Sequence, residues 1–118
     1  MADETATETD ITPQRASELA ESGALVIDVR RAYEFEAGHI AGARRLEMNE
    51  LTSSAESIPR DEAVVFYCRT GNRSGMAAAA FRQAGFDAYH VDGGLQEWVN
   101  QGLELEPPDG EVAEPRPG

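Results

Sequence analysis

Cys68 is the only cysteine in the 118-residue chain, and it opens the loop sequence CRTGNRSG. Two arginines, Arg69 and Arg73, and a glycine, Gly71, closely follow the sulfur. A loop that curls from a strand into a helix can point several backbone N–H groups toward its centre and hold an anion there. The helix N-terminus and the two guanidinium groups favour negative charge at the same place. We therefore expect this loop to stabilise Cys68 as a thiolate.

A thiolate held by backbone N–H groups needs no dedicated base, and no histidine or lysine lies near Cys68 in the sequence. Such a sulfur can attack a sulfur or phosphorus centre, and the same donors can hold the negative intermediate. The alternative is a small buried cysteine that ends a strand, because free cysteine is among the most buried residue types. Since Cys68 is the only thiol, any thiol that accepts sulfur from it must come from another molecule.

The elements that would position this loop follow an alternating pattern of strands and helices. Continuous apolar runs at 24–27 and 63–67 are typical of strands buried on both faces. The full pattern predicts strands near 24–27, 43–46, 63–67 and 88–91, and helices near 13–22, 31–37, 49–53, 74–84 and 95–99. This alternation predicts a three-layer α/β fold, in which a parallel sheet carries helices on both faces. Ligands of such sheets bind beyond the carboxyl ends of the strands, where Cys68 lies.

The loop CRTGNRSG resembles the active-site loop of rhodanese-like sulfurtransferases. Other stretches resemble that family's signatures in the same order: IDVR, YEF and GHIAGA upstream, and VDGG followed by Trp98 downstream. The resemblance extends over about residues 12–101 and covers a single family domain. It implies a five-stranded parallel sheet and a ping-pong reaction.

The resemblance also implies a role for each residue of the loop. Cys68 would take a sulfane sulfur from thiosulfate or a persulfide donor, and would pass it from its own persulfide to cyanide or a thiol. The substrate-binding residues implied are Arg69, Thr70, Gly71, Asn72 and Arg73. Asp28 and Arg30 would support the site from behind without reacting. No cofactor and no metal are implied, and two scattered histidines with one cysteine do not form a metal site.

Several of these assignments have alternatives. The two loop arginines could be solvated surface charges, and Arg30 could form an ordinary loop ion pair with Glu34. His39 and His90 are expected to be buried, hydrogen-bonded structural histidines. A cysteine phosphatase needs five residues between its cysteine and its arginine, whereas four separate Cys68 from Arg73. Two further functions are alternatives. The protein could be a non-catalytic interaction or regulatory module, or a carrier that delivers persulfide sulfur to a sulfur-relay protein.

The formal net charge of −12 is concentrated at the two ends of the chain. We expect an acidic disordered N-terminal tail at 1–10, a rhodanese-like domain at 11–103, and an acidic proline-rich C-terminal tail at 104–118. Every basic residue other than the histidines is arginine, and this composition is typical either of adaptation to high salt or of a GC-rich genome.

The same composition indicates which partners and compartments to expect. The acid excess leaves no basic face for nucleic acid. No apolar run is long enough to span a membrane, and no secretory signal is recognisable. We therefore expect a cytoplasmic monomer or weak dimer whose partners are a small sulfur donor and acceptor.

Overall fold

The computed structural model describes residues 9–114. Within them the strands are β1 (Asp10–Ile11), β2 (Leu25–Asp28), β3 (Arg44–Arg45), β4 (Val64–Tyr67) and β5 (Ala88–Val91). The α-helices are α1 (Pro13–Glu21), α2 (Ala32–Ala37), α3 (Leu51–Ser54), α4 (Asn72–Gln83) and α5 (Gly94–Asn100), and short 3-10 turns at Met48–Glu50 and Ala55–Ser57 flank α3.

The five strands form one sheet in the order β1-β5-β4-β2-β3, and every neighbouring pair is parallel. The predicted α/β class and the five-stranded parallel sheet are therefore confirmed. β1 was not predicted, because its two residues adjoin the polar N-terminal stretch and form no apolar run. The sequence placed Asp10 in a disordered tail, whereas the structure pairs it with His90 of β5. Residues 1–8 of that tail lie outside the described residues.

Strand β4 is buried on both faces, and its alternation assigns each side chain to one of two cores. Val64, Phe66 and Cys68 point into the first core, where α4 contributes Ala77, Ala78 and Phe81. Val65 and Tyr67 point to the opposite face of the sheet. The core on that face is formed by Ala16, Val26, Ile40, Val65, Tyr67, Val91, Leu95 and Trp98. Cys68 thus emerges from the sheet on the side that α4 covers.

Helix α4 begins at Asn72, two residues before the start that its apolar positions predicted. The apolar pattern could not show this earlier start, because Asn72 and Arg73 are polar and do not contribute to the apolar face of the helix. Helix α1 begins as predicted, with the Thr12 hydroxyl accepting a hydrogen bond from Arg15 N at 3.1 Å and proline following it. Within the described residues, no helix is long and apolar enough to cross a membrane.

The stretch at 104–114, expected as part of a disordered tail, lies along the domain. Glu104 O accepts a hydrogen bond from Trp98 Nε1 at 2.9 Å, and Glu106 pairs with His39 in an isolated bridge. Leu105 and Val112 pack against the second core. The composition of this stretch is that of a solvated tail, but these two apolar residues hold it against the folded domain.

Candidate active site

The sulfur of Cys68 sits at the carboxyl end of β4, inside a loop that turns two of its amides inward. Gly71 N donates to Cys68 Sγ at 3.1 Å, and Ser74 N, in the first turn of α4, donates at 3.4 Å. Gly71 has a φ of +109°, a left-handed conformation that glycine adopts without strain and that closes the loop. The loop therefore has the geometry of an anion-binding nest around the sulfur.

Cys68 is nonetheless only 1 % exposed. Its own loop and the first turn of α4 enclose it, and Phe66 and Ala77 belong to the same buried cluster. A substrate can reach the sulfur only where the loop leaves an opening. The polar donors on one side and the apolar core on the other leave the sulfur desolvated, so that N–H groups, rather than water, would stabilise its charge.

Arg73 is held in place by a buried carboxylate. Its two terminal nitrogens each lie 3.2 Å from an oxygen of Glu34, whose side chain is 0 % exposed. Glu34 Oε1 also accepts a hydrogen bond from Arg31 N at 3.0 Å. Burial opposes ionisation of Glu34, but its hydrogen bonds and the charges of Arg73 and Arg30 outweigh that effect and lower its pKa. Burial likewise opposes the charge on Arg73, yet Glu34 and the nearby Cys68 raise the pKa of Arg73.

The other predicted loop residues differ in their surroundings. Arg69 is about one-quarter exposed, and its guanidinium lies 4.0 Å from the Glu114 carboxylate. Thr70 and Asn72 are exposed at the rim of the loop. The loop thus presents Thr70 and Asn72 outward, keeps Arg69 partly buried, and directs the Gly71 amide inward.

Asp28, the last residue of β2, forms a fully buried ion pair with Arg30. Arg30 Nε donates to Asp28 Oδ1 at 2.9 Å, and Arg30 Nη2 donates to Asp28 Oδ2 at 2.7 Å. Arg30 Nη2 also donates to Gly38 O at 2.9 Å, which fixes the turn after α2. The suggested pairing of Arg30 with Glu34 is therefore wrong: Asp28 is the acceptor of Arg30, and Glu34 binds Arg73. Bidentate geometry favours Asp28, two residues away on the same turn.

Helix α5 follows β5, the strand beside β4, and it fixes the backbone of the cysteine loop. Leu95 N donates to Cys68 O at 2.8 Å, and Gln96 N donates to Arg69 O at 3.0 Å. Gly94, at φ +64°, lies so close to the loop that a Cβ there would be 2.5 Å from Arg69 O. The VDGG sequence thus positions the loop through a backbone approach that only glycine allows.

Three residues that follow one another in a hydrogen-bonded series from the sulfur were not predicted to belong to the site. Ser74 Oγ lies 3.5 Å from Cys68 Sγ and 3.1 Å from His90 Nδ1, and His90 Nε2 lies 2.7 Å from Asp10 Oδ1. His90 is buried and hydrogen-bonded, as expected of a structural histidine, but its partners connect it to Cys68. The link from Cys68 to His90 and Asp10 could not be predicted from sequence, because β4, β5 and β1 come together only in the folded sheet. The serine in the first turn of α4 was the one local signal.

A groove of about 410 Å³ opens beside Arg73. Its walls are formed by Val29, Arg31, Glu47, Met48, Asn49 and Arg73. Within residues 9–114, no three side chains of the kinds that bind metals lie close enough together to hold an ion.

The fold and the site together define an α/β protein in which a cysteine lies in a nest of backbone amides at the carboxyl edge of a parallel sheet. A family model for the rhodanese-like domain matches residues 12–101. The chain therefore belongs to the rhodanese-like domain family, as the motifs at 27–43, 68–75 and 91–98 indicated.

Among curated relatives, the chain is 39% identical over 89 residues to the thiosulfate sulfurtransferase GlpE of Pseudomonas aeruginosa (strain LESB58), covering 75% of this chain and 81% of that protein. It is 38% identical over 96 residues to the probable adenylyltransferase/sulfurtransferase MoeZ of Mycobacterium tuberculosis (strain CDC 1551 / Oshkosh), covering 77% of this chain and 24% of that protein. The crystal structure of a rhodanese-related protein from Thermoplasma volcanium is 29% identical, with a TM-score of 0.76 over 81% of this chain and 95% of that one.

Proposed function

We propose that the protein is a sulfurtransferase that carries a sulfane sulfur as a persulfide on Cys68. The observation that carries the proposal is the pair of inward amides, Gly71 N and Ser74 N, at 3.1 and 3.4 Å from Cys68 Sγ. Amides so placed stabilise a thiolate before the transfer and a persulfide anion after it. The GlpE relative, which carries the name thiosulfate sulfurtransferase, supports thiosulfate as a donor.

The proposed reaction has two steps. In the first, the Cys68 thiolate attacks the outer sulfur of thiosulfate, the S–S bond breaks, and sulfite leaves with the bonding electrons. In the second, cyanide or a thiolate attacks the outer sulfur of the persulfide and regenerates the Cys68 thiolate. Because there is no second cysteine in the chain, the acceptor is another molecule.

The two arginines of the loop serve this reaction differently. The carboxylate neighbour of Arg69 is 4.0 Å away and Arg69 Nε has no hydrogen-bond partner within the described residues, so its guanidinium remains available to bind an anionic donor. Arg73 is engaged by Glu34, and it contributes a fixed positive charge to the mouth of the groove. We assign donor binding mainly to Arg69 and to exposed backbone of the loop, and charge stabilisation to Arg73. Asp28 and Arg30 hold the end of β2 against the site.

The test is intact-mass spectrometry after incubation with thiosulfate, on the native protein and on Cys68→Ser. The native protein is expected to gain the mass of one sulfur atom, which cyanide then removes as thiocyanate, and the variant is expected to gain none. An unchanged mass of the native protein would contradict the proposal and favour a non-catalytic interaction module. Cys68-dependent hydrolysis of p-nitrophenyl phosphate would favour a phosphatase instead, although the loop between Cys68 and Arg73 is one residue shorter than phosphatases require.

A carrier that passes persulfide sulfur to a relay protein is the second candidate function. It shares the Cys68 intermediate and differs only in the acceptor. The similarity to a quarter of MoeZ, named a probable adenylyltransferase/sulfurtransferase, favours it. Transfer of labelled sulfur from the persulfidated protein to a partner thiol, measured against transfer to cyanide, distinguishes the two acceptors.

A further inference from the structure

A continuous chain of hydrogen-bonding groups runs from Cys68 to the edge of the sheet. Cys68 Sγ lies 3.5 Å from Ser74 Oγ, Ser74 Oγ lies 3.1 Å from His90 Nδ1, and His90 Nε2 lies 2.7 Å from Asp10 Oδ1. Asp10 is the register partner of His90 in β1, so the contact is built into the strand pairing. The histidine is 7 % exposed.

The catalytic loop is shaped to receive the imidazole. A Cβ on Gly75 would lie 3.4 Å from His90 Cε1, and a Cβ on Gly71 would lie 3.6 Å from the same atom. The ring therefore lies beside the loop and the first turn of α4, where two glycines leave room for it. Both ring nitrogens have partners, Nδ1 beside Ser74 Oγ and Nε2 beside Asp10 Oδ1.

The positions of the protons determine which group donates and which accepts at each hydrogen bond between Asp10 and Cys68. An ionised Asp10 carboxylate can only accept, so His90 Nε2 carries a proton. In the neutral ring, Nδ1 is then an acceptor, Ser74 Oγ–H donates to it, and the Cys68 thiol donates to Ser74 Oγ. In the charged ring, Nδ1–H donates to Ser74 Oγ, whose own proton is then free to donate to the sulfur or to Gly71 O, 3.4 Å away.

We propose that His90, oriented by Asp10, accepts the thiol proton of Cys68 through the Ser74 hydroxyl. The S–H proton moves to Ser74 Oγ as the hydroxyl proton moves to His90 Nδ1, so a thiol and a neutral imidazole become a thiolate and an imidazolium. No atom is gained or lost and no oxidant is needed. His90 is a positioning and proton-accepting residue that acts on the sulfur through Ser74. This inference deepens the proposed function, since it supplies the thiolate that attacks the donor.

The groups that face the ring within the described residues are few. Strand β1 contributes the Asp10 carboxylate, α4 contributes the Ser74 hydroxyl and Gly75, and the loop after β4 contributes Cys68 through Ser74. The register partner of His90 on β4 is Phe66, which does not titrate. The Asp10 side chain is 57% exposed, so solvent weakens its effect on the ring. Ser74 therefore connects the ring to Cys68, the group that the proposal pairs with it.

The test follows two titrations that need no sulfur donor. The thiolate of Cys68 is followed by ultraviolet absorbance against pH, with Cys68→Ser as the blank, in the native protein and in His90→Asn. Asparagine keeps a hydrogen-bonding group for Ser74 but cannot take up the proton. The pH of half-maximal thiolate signal is expected to rise by about one unit in His90→Asn, because an opposite charge is lost nearby. Ring titration of His90 is followed by NMR in the native protein and in Cys68→Ser.

Coupling between two sites is reciprocal, so Cys68→Ser is expected to lower the midpoint of the His90 titration by the same amount. His39→Asn is the matched control: its ring stacks on Phe35 at 3.8 Å and Nδ1 contacts Phe35 O at 2.8 Å, so the thiolate curve should not move. An unchanged thiolate midpoint in His90→Asn, an equal shift in His39→Asn, or an unchanged His90 titration in Cys68→Ser would each overturn the proposal. If His90→Asn does not fold, the NMR titration in Cys68→Ser decides alone. If both titration midpoints shift but no sulfur is transferred, the proposed function is rejected and the proton transfer from Cys68 to His90 still stands.

Discussion

The guanidinium of Arg73 and the carboxylate of Glu34 form the most heavily desolvated contact in which a loop arginine takes part. Glu34 has no exposed surface, whereas the Arg73 side chain is 29% exposed. A buried carboxylate without its cation would be costly, so the pair fixes the arginine at the mouth of the site. The loop therefore obtains a positive charge whose position does not depend on a bound substrate.

Replacement of Glu34 by glutamine should make stability depend less on pH. At pH 7 we expect Glu34→Gln to lower the free energy of unfolding by about 2–3 kcal/mol, since charge-assisted hydrogen bonds are lost at a buried site. The pKa of Glu34 is lowered in the folded protein, so its contribution is complete above its ordinary value of 4.5 and is lost as pH falls below it. Denaturant titrations from pH 7 to pH 3 measure the difference, which should narrow on acidification.

The control for that experiment is Glu18→Gln. Glu18 pairs with Arg15 on an exposed face, where the two side chains are 67% and 57% exposed, and its loss should change stability by less than about 0.5 kcal/mol at any pH. A stability difference between the native protein and Glu34→Gln that stays constant down to pH 3 would contradict the assignment.

The sequence identifies some residues of the site and not others, for a physical reason. Cys68, Gly71 and the arginines lie in one short loop, so their chemistry can be recognised from neighbouring letters. Glu34 and His90 approach the loop only through the order of the strands, and neither apolar periodicity nor local charge indicates such contacts. The ion pair of Arg30 was misassigned because Asp28 and Glu34 are both within reach along the chain, and only the turn geometry selects Asp28.

Helix α5 acts on the site through its backbone, as the hydrogen bonds to Cys68 O and Arg69 O show. This contact explains why a glycine pair stands at the start of the helix. Gly94 brings the N-terminus of α5 within reach of the loop carbonyls, and the structure leaves no space for a side chain there. The positions of β4, α4 and α5 are therefore coupled through one loop.

Substitution of Gly94 by alanine should disrupt that coupling. A Cβ at 94 would lie 2.5 Å from Arg69 O and 2.6 Å from Cys68 O, so the loop or the helix must shift. Gly102→Ala is the matched control, because its φ of +85° is also left-handed but nothing lies within 4 Å. We expect thermal unfolding to show a cost of about 1–2 kcal/mol for Gly102→Ala, from backbone strain alone. Gly94→Ala should cost more and should also lower persulfide formation at least tenfold; equal effects of the two substitutions would contradict this.

Most elements could be predicted from sequence, the two-residue β3 among them, but β1 could not. Runs such as 63–67 and the apolar face of α4 carry enough residues to show their period. β1 has two residues, and its pairing with β5 depends on the rest of the sheet being formed. The stretch at 104–114 has the composition of a tail, but its position is set by Leu105 and Val112 docking on a surface that exists only in the folded domain.

The charge of the whole molecule opposes the proposed substrates. The chain carries a net charge of −12, while thiosulfate and cyanide are anions. Arg69 and Arg73 must attract them against that field at short range. Salt screens distant charges more than contacts, because the Debye length falls from about 30 Å at 0.01 M to about 8 Å at 0.15 M.

The rate with thiosulfate should therefore rise when salt is first added. We expect kcat/KM for thiosulfate to increase about twofold between these ionic strengths, and then to fall as contact pairing with the arginines is also screened. The second step with a neutral thiol acceptor should change less over the same range. Steady-state assays in a sodium chloride series provide the measurement, and a decrease that begins at the lowest salt would contradict this picture.

A crystal structure of the protein after reaction with thiosulfate tests the central claim most directly. The account predicts an additional sulfur atom bonded to Cys68 Sγ, with backbone nitrogens of the loop at 69–74 within hydrogen-bonding distance of it. A loop whose amides point away from the sulfur, or a Cys68 that stays unmodified in its buried position while thiosulfate is in excess, would contradict it.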